Sequence, residues 1–330
     1  MRTIRWGILG TGDIAGQFAS ALQHVEGAEL YAVGSRQQDS ANLFADKHGI
    51  PKAYSSYQAL CEDDTIDVVY IGTPHTLHQN NSLMCLEAGK AVLCEKPLAV
   101  SAAQAEEVIA SARSRKLFLM EAMWTRFIPL ICELRQLQGE GVIGELRMLQ
   151  ADFCFRADFD PQSRLFNPEL AGGALLDVGI YPLSFASMLL GTPLEIRSLA
   201  SISNTGIDEQ SAYLLGYANG ALALLASAVR TEGAQEALLL GSEGSIRLHT
   251  PWWRPDSLSL QRPGQAPDLI TRPIHGNGYN YEAAEVTRCL QEGKLESSIM
   301  PLAESLSIMR SLDRIREQIG LRYPFETSSP

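Results

Sequence analysis

Short apolar runs alternate with amphipathic stretches through the first third of the chain. Ile4 to Leu9, Ala28 to Gly34, Asp67 to Ile71, Ala91 to Cys94 and Phe118 to Met120 are rich in Ile, Val, Leu and aromatic residues. Runs of this length, bounded by turn residues, predict buried strands. Between them, apolar positions recur at helical spacing from Ile14 to His24, about Ser40 to His48, Leu77 to Glu87 and Ser101 to Arg115. Ser101 begins the last of these, with Glu106 and Glu107 in its early turns, as a capped helix start favours. Strands alternating with helices predict an α/β domain, a parallel sheet with helices on both faces.

The pattern changes after Glu121. A helix is predicted from about Ile128 to Gln138, a long strand from Glu145 to Phe155, and a helix over residues 172–190. Five strand candidates then follow with no helix between them: Ile196–Ile202, Ala212–Tyr217, Ala221–Ser227, Ala237–Leu240 and Ser245–His249. Turns such as Ala218-Asn219-Gly220 predict an antiparallel or mostly antiparallel sheet. Helices at about Tyr281–Glu292 and Leu302–Ile319 close the chain. We therefore expect two domains, residues 1–121 and 122–330, with no flexible linker. Helices 172–190 and 281–292 are available to cover one face of the second sheet. The final helix packs there or returns to the first domain. Leu214, Leu222, Leu224, Leu238 and Leu240 alternate onto the other face, which predicts a homodimer built through that sheet. Thr327-Ser328-Ser329-Pro330 reads as a disordered tail.

Composition narrows the class. The chain has 330 residues, 45% hydrophobic and 20% charged, which suits two globular domains. A net charge of −11 disfavours nucleic acid or an anionic membrane as partner, since both want a basic surface. We expect no apolar run of membrane-span length, and a strand starting at Ile4 leaves no room for a signal peptide. The six cysteines are scattered and contain no C-x-x-C, so reduced thiols and a cytoplasmic location are expected.

Chemistry enters at the strand ends. Gly10-Thr11-Gly12-Asp13-Ile14-Ala15 follows the first strand and opens the first helix, a G-x-G-x-x-A pattern. Gly10 permits the tight turn, Gly12 lets a pyrophosphate approach, and Ala15 allows close helix–strand packing. The helix N-terminus offers N–H groups to the phosphates. The second strand ends in Gly34-Ser35-Arg36-Gln37, without the acid that would bind a ribose 2′-hydroxyl. Ser35 and Arg36 suit a 2′-phosphate, so NADP is expected over NAD. Thr73-Pro74-His75 and His78 follow the third long strand and face the nicotinamide end. His75 and His78 lack companion ligands at metal-site spacing, so no metal is expected. Cys94-Glu95-Lys96-Pro97 runs a strand straight into a charged pair, with proline to fix the backbone behind the lysine. Asp177 and Tyr181 lie four residues apart in an apolar helix, hence on one face. A phenol near an ammonium can remove an alcohol's proton while hydride leaves the carbon.

These residues carry a resemblance. Gly10-to-Ala15, Glu95-Lys96-Pro97 and Asp177-Val178-Gly179-Ile180-Tyr181 resemble the glucose–fructose oxidoreductase/inositol dehydrogenase (Gfo/Idh/MocA) family over essentially the whole chain. Glu121-to-Phe127, Gly172-to-Tyr181, Gly278-to-Glu285 and Gly320-to-Phe325 resemble the branch containing dimeric dihydrodiol dehydrogenase and NADP-dependent D-xylose dehydrogenase. Many family members have histidine where this chain has Tyr181, which departs from an inositol dehydrogenase assignment. The resemblance implies an N-terminal Rossmann domain and a C-terminal α+β domain with a large, mostly antiparallel open sheet, used for dimer formation. It implies Lys96 and Tyr181 as the catalytic pair with Asp177 beside them, and a cis peptide before Pro97. The cofactor set on this reading is Gly10, Thr11, Gly12, Asp13, Ile14, Ser35, Arg36, Thr73, Pro74, His78, Glu95, Lys96, Trp124 and Arg126. Trp124, Phe155, Asp177, Tyr181, Trp253 and Tyr279 are candidate substrate contacts. The expected activity is NADP-dependent oxidation of a sugar, cyclic polyol or dihydrodiol. The alternatives are a carbonyl reductase of a sugar-derived osone or anhydro-sugar, and an NADP-binding regulatory protein without turnover.

Overall fold

The computed structural model describes residues 2–326, so the expectation for Thr327 to Pro330 lies outside the described residues. The chain divides into two compact units. One runs to Phe127 and includes His275–Leu306; the other is Ile128–Ile274 with the residues from Ser307 onward.

The first unit alternates strand and helix: β1 (Ile4–Leu9), α1 (Asp13–Leu22), β2 (Ala28–Gly34), α2 (Gln38–His48), β3 (Lys52–Tyr54), α3 (Tyr57–Cys61), β4 (Val68–Ile71), α4 (His78–Glu87), β5 (Ala91–Glu95), α5 (Ala102–Arg115) and β6 (Leu119–Ala122). All pairings are parallel, in the order β3-β2-β1-β4-β5-β6. The order reverses between β1 and β4, and a doubly wound sheet leaves its ligand crevice at such a point. The strands β4, β5 and β6 are buried along their whole length, as fits strands covered on both faces, whereas the edge strand β3 is only half-buried. Phe18 of α1 stacks on Tyr70 of β4 at 3.8 Å and tilts against Trp6 of β1 at 5.4 Å. Burying each such ring is worth about 1.5–3 kcal/mol, enough to fix α1 on the sheet. Helix ends follow local chemistry. Ser101 accepts from the Gln104 amide at 3.4 Å at the start of α5, and Gly49 ends α2 in the left-handed region at φ 67°.

The second unit begins with α6 (Pro129–Gly139) and β7 (Leu146–Cys154). A π turn at Leu175–Gly179 then leads into α7 (Ile180–Leu190). Seven strands follow: β8 (Glu195–Ile202), β9 (Asp208–Gly216), β10 (Leu222–Ala228), β11 (Ala237–Gly241), β12 (Ser245–Leu248), β13 (Ser257–Gln261) and β14 (Asp268–Thr271). They form one eight-stranded sheet, β14-β13-β12-β11-β7-β10-β9-β8. The pairing is antiparallel except between β7 and β10, which run parallel because β7 enters the sheet from a distant part of the chain. Both domain-level expectations of sheet type hold. β13 and β14 were not predicted: each is short, with only two apolar residues, Leu258 and Leu260 in β13 and Leu269 and Ile270 in β14. The helical stretch Pro168–Leu190 corrects one expectation: by length and composition it could cross a membrane. It is 83% buried in the fold, as a core helix is.

The last helices are α8 (Tyr279–Gln291) and α9 (Leu302–Ile319). α8 does not cover the second sheet. It belongs to the first unit, packing on α1 and β1 through a stripe that includes the buried Ala283, Val286 and Cys289. Its apolar face fits either neighbour, so periodicity alone could not choose. The far end of α9 reaches β8, where Gln318 donates to the Ile196 carbonyl at 2.8 Å and accepts from Ser198 Oγ at 2.8 Å.

Asp208 carries a pH dependence of stability. Its carboxylate is fully buried and accepts from the Leu175 amide at 2.8 Å and Ser211 Oγ at 2.6 Å, so it fixes the start of the π turn. Gly173 must be glycine beside it: its φ is 119°, and a Cβ would stand 2.3 Å from Asp208 Oδ1. Burial pushes the Asp208 carboxyl up to about 7. The folded state then holds the proton more tightly than the unfolded chain. Stability is therefore fully present below about pH 4 and is lost as pH rises toward 7, by at most about 4 kcal/mol. Melting temperatures measured from pH 4 to 7 are expected to fall for the wild type relative to Asp208→Asn. A constant difference between the two would show that this carboxyl does not titrate in that window.

Candidate active site

In the first unit, three strand ends are laced together at the crevice. The Gly10 amide donates to the Gly34 carbonyl at 3.0 Å, and the Gly72 amide to the Leu9 carbonyl at 2.9 Å. Gly10 has φ 106°, and a Cβ there would stand 2.9 Å from the Gly72 carbonyl oxygen, so the turn admits only glycine. Gly12 is different. Its φ is −80°, and a Cβ would meet no atom within 4 Å. Among the described residues nothing demands glycine there, while a phosphate approaching the backbone would. Gly12 also occupies the N-cap of α1 and brings no side chain to cap the first-turn amides. Thr11, Asp13 and Ile14 line this opening, half-exposed or exposed. The loop therefore fits a dinucleotide pyrophosphate.

Ser35 and Arg36 follow β2. Ser35 is buried, donates its amide to the Tyr54 carbonyl and accepts weakly from the Gln37 amide at 3.4 Å. Arg36 is exposed, and no acid stands at this strand tip. The guanidinium is open to solvent; the serine shapes the turn.

The end of β5 is held from several sides. Tyr70 donates its hydroxyl to Glu95 Oε1 at 2.6 Å, and the Lys96 amide lies 3.2 Å from Glu95 Oε2. Glu121 of β6 accepts from the Leu98 amide at 2.9 Å. The peptide between Lys96 and Pro97 is cis, as the resemblance implied. The His78 ring is fully buried: Nδ1 lies 2.7 Å from the Pro97 carbonyl and Nε2 lies 2.8 Å from that of Thr73. It ties the Thr73-Pro74 turn to the segment after Lys96, and Asn81 adds a bond to Thr73 Oγ1 at 3.0 Å. Burial lowers the His78 pKa against the pull of the two carbonyls. Glu282 of α8 is fully buried. Burial, and then the nearby Glu95, push its pKa well above the usual carboxyl range.

Trp124 and Tyr279, both expected near substrate, pack on each other at 4.6 Å. Arg126, expected at the cofactor, is buried; it pairs with Glu304 at 2.7 Å and donates to the Ile299 carbonyl at 3.4 Å.

The second unit brings together Asp177, Tyr181 and an aromatic wall. The π turn places Asp177 one turn before Tyr181, and such turns recur at functional sites. Gly179 lets the turn sit close to the sheet, since a Cβ would lie 2.7 Å from Tyr213 Oη and 2.9 Å from Ser227 Oγ. Tyr181 is buried with its ring edge against Phe153 at 5.0 Å. Phe153 stacks on Trp253 at 3.5 Å, and Phe155 lies 6.3 Å from it. Phe153 was missed by the sequence reading, although it shares a strand face with Phe155 two residues on. Arg164 was also missed: Nη1 lies 2.6 Å from Asp177 Oδ1 and Nη2 lies 3.3 Å from Oδ2. Thirteen residues of loop and turn separate the pair, and no spacing rule reports such a contact.

Comparison with known proteins agrees with this geometry. Residues 4–123 match the Gfo/Idh/MocA oxidoreductase family with an NAD-binding Rossmann fold, and residues 131–247 match its C-terminal domain. Human trans-1,2-dihydrobenzene-1,2-diol dehydrogenase is 39% identical over 97% of this chain and 98% of its own length. The Xenopus tropicalis protein of the same name is 37% identical over 97% and 99%. A 3-ketoreductase from Actinomadura kijaniata, solved with NADP and TDP-benzene, is 28% identical with a TM-score of 0.86, covering 96% of this chain and 98% of that one. Levoglucosan dehydrogenase, at 20% identity and a TM-score of 0.88, shares the fold. With its open glycine loop, its buttressed lysine and matches along both units, the chain belongs to the Gfo/Idh/MocA family of nicotinamide-dependent oxidoreductases.

Proposed function

We propose that the protein is an NADP(H)-dependent oxidoreductase of a cyclic diol, sugar or polyol, with Lys96 and Tyr181 serving one proton transfer. The observation that carries the reading is the buttressed end of β5, where Tyr70, Glu121 and His78 fix the backbone around Lys96. A purely packing lysine needs no such frame. The likeness to dihydrodiol dehydrogenases at 37–39% identity supports the substrate class. The exposed Arg36 at an acid-free strand tip, together with the NADP bound to the ketoreductase, supports the cofactor.

In the oxidising direction the alcohol gives its O–H proton to the ionised Tyr181 phenol, and a C=O bond forms as hydride leaves the carbon. A cation favours a phenolate, and Lys96 is the cation we assign to that role. NADP supplies the hydride acceptor at its nicotinamide when bound. Gly10 to Ile14 would hold the pyrophosphate and Arg36 the 2′-phosphate. In reduction the same phenol returns its proton to the new alkoxide. Following nicotinamide absorbance with NADP and NAD against cyclic diols, aldoses and dicarbonyls tests the reading. Turnover with a neutral diol or sugar supports it; tight NADPH binding with no turnover of any of these points to a regulatory protein instead.

We also propose a homodimer through the eight-stranded sheet. Leu199, Leu214, Leu222 and Leu224 are 81%, 44%, 39% and 41% exposed, and Leu199, Leu214 and Leu224 line an open groove of about 950 Å³. Register aligns Leu224 beside Leu214, and exposed apolar surface on this scale is usually covered. Sedimentation at low micromolar concentration is expected to give twice the 36.1 kDa chain mass, and Leu224→Glu to give the monomer. A wild-type monomer would remove the dimer. We read the compartment as cytoplasmic, where Cys61 and Cys85, with sulfurs 3.3 Å apart, would remain thiols.

A further inference from the structure

We propose that Arg164 is a specificity-determining residue, forming with Asp177 a neutral donor–acceptor fork that reads a second hydroxyl close to the one oxidised. The inference rests on the function proposed above and adds to it the group that recognises the substrate's neighbouring oxygen.

The geometry is that of a two-pronged guanidinium–carboxylate pair, at 2.6 and 3.3 Å. The two partners differ in exposure. The Asp177 side chain is 8% exposed, whereas that of Arg164 is 48% exposed. A buried carboxylate needs a compensating cation. Arg164 keeps half its side chain at the surface, open to a ligand, while its plane is fixed on Asp177.

The loop that carries it is fixed as well. The Gly172 amide donates to the Asn167 carbonyl at 3.1 Å and the Gly173 amide to the Leu165 carbonyl at 2.9 Å. A Cβ on Gly172 would stand 2.8 Å from the carbonyl oxygens of both Arg164 and Leu165, so the loop lies pressed against the start of the Asp177 turn. Phe166 is fully buried beneath it. Arg164 is thereby set on the same rigid frame as Asp177 and, one turn on, Tyr181.

Charge then selects the ligand. The pair is neutral overall, so an anionic substrate such as a hydroxy acid would have to pull Arg164 away from Asp177. A hydroxyl both donates and accepts, and meets a carboxylate and a guanidinium without disturbing either. The stacked Phe153 and Trp253 beside Tyr181 offer a flat apolar surface to a ring. A neutral ring with two neighbouring hydroxyls satisfies all three features.

The test compares a cyclic trans-1,2-diol with the matching cyclic mono-alcohol, using the full-length protein and NADP. The wild type is expected to prefer the diol in kcat/KM. Arg164→Gln is expected to reduce that preference by about 10- to 100-fold. Arg164→Lys should recover only part of it, because an ammonium cannot reproduce the fork. NADPH binding, followed by fluorescence, should be retained in both and serves as the check on folding. A second readout needs no turnover: the diol should raise the wild-type melting temperature in the presence of NADP, and this rise should be lost in Arg164→Gln. If diol and mono-alcohol lose activity by the same factor, or if the stabilisation by diol survives, Arg164 does not read the second hydroxyl and the proposed function stands. If the wild type turns over no diol or sugar at all, the proposed function fails and takes this inference with it.

Discussion

Tyr181→Phe is expected to lower kcat by about 100-fold or more while NADPH still binds. The substitution removes one oxygen and keeps the ring that packs against Phe153, so the fold should stand. The loss would therefore report the proton transfer and not packing. Lys96→Met, similar in length and without charge, is expected to cost about as much, because the proposed mechanism assigns the lysine the positive charge that favours an ionised phenol. The double variant should be little worse than either single one, since both residues are proposed to serve a single step. Steady-state rates for the three variants, alongside NADPH binding by fluorescence, decide the matter. A Tyr181→Phe enzyme running at the wild-type rate would reduce the phenol to a wall residue, and strictly multiplying losses would separate the two roles.

Arg36→Ala should separate the two nicotinamide cofactors. Losing one charged hydrogen bond to a 2′-phosphate costs about 1.5–3 kcal/mol, or about 10- to 150-fold in NADPH affinity. NADH lacks that phosphate, so its binding should hardly change. Ser35 is a weaker lever: it is buried and already engaged in the turn, so Ser35→Ala should cost less than Arg36→Ala. Equal loss of both cofactors in Arg36→Ala would show that the guanidinium supports the loop and does not distinguish them.

Several features of the site were legible because they are local. The G-x-G-x-x-A turn states its own geometry, and the structure adds that Gly10 is demanded by the protein while Gly12 is demanded by none of the described residues. The Glu95-Lys96-Pro97 step stands at a strand end in the sequence and in the fold. What frames it was not legible. Tyr70 read simply as a member of a buried strand and Glu121 as the residue where the first domain ends, and only strand order makes them neighbours of Glu95 and Leu98. His78 was read as a surface or helix-start histidine near the cofactor; its ring is buried and bridges two carbonyls inside the protein.

The sequence by itself determined the alternation that builds the parallel sheet, the run of strands that builds the second sheet, and the positions of the glycine loop, Lys96, Asp177 and Tyr181. Each depends on spacing within about ten residues, where hydrophobic period and turn chemistry act. The tertiary structure alone decided the destination of α8, the parallel pairing of β7 with β10, and the meeting of Arg164 with Asp177. An apolar helix stripe fits more than one partner, and a strand edge or a guanidinium pairs with whatever the chain brings to it. These choices are made by long-range packing, whose free energy depends on the whole assembled core and leaves no periodic trace in the sequence.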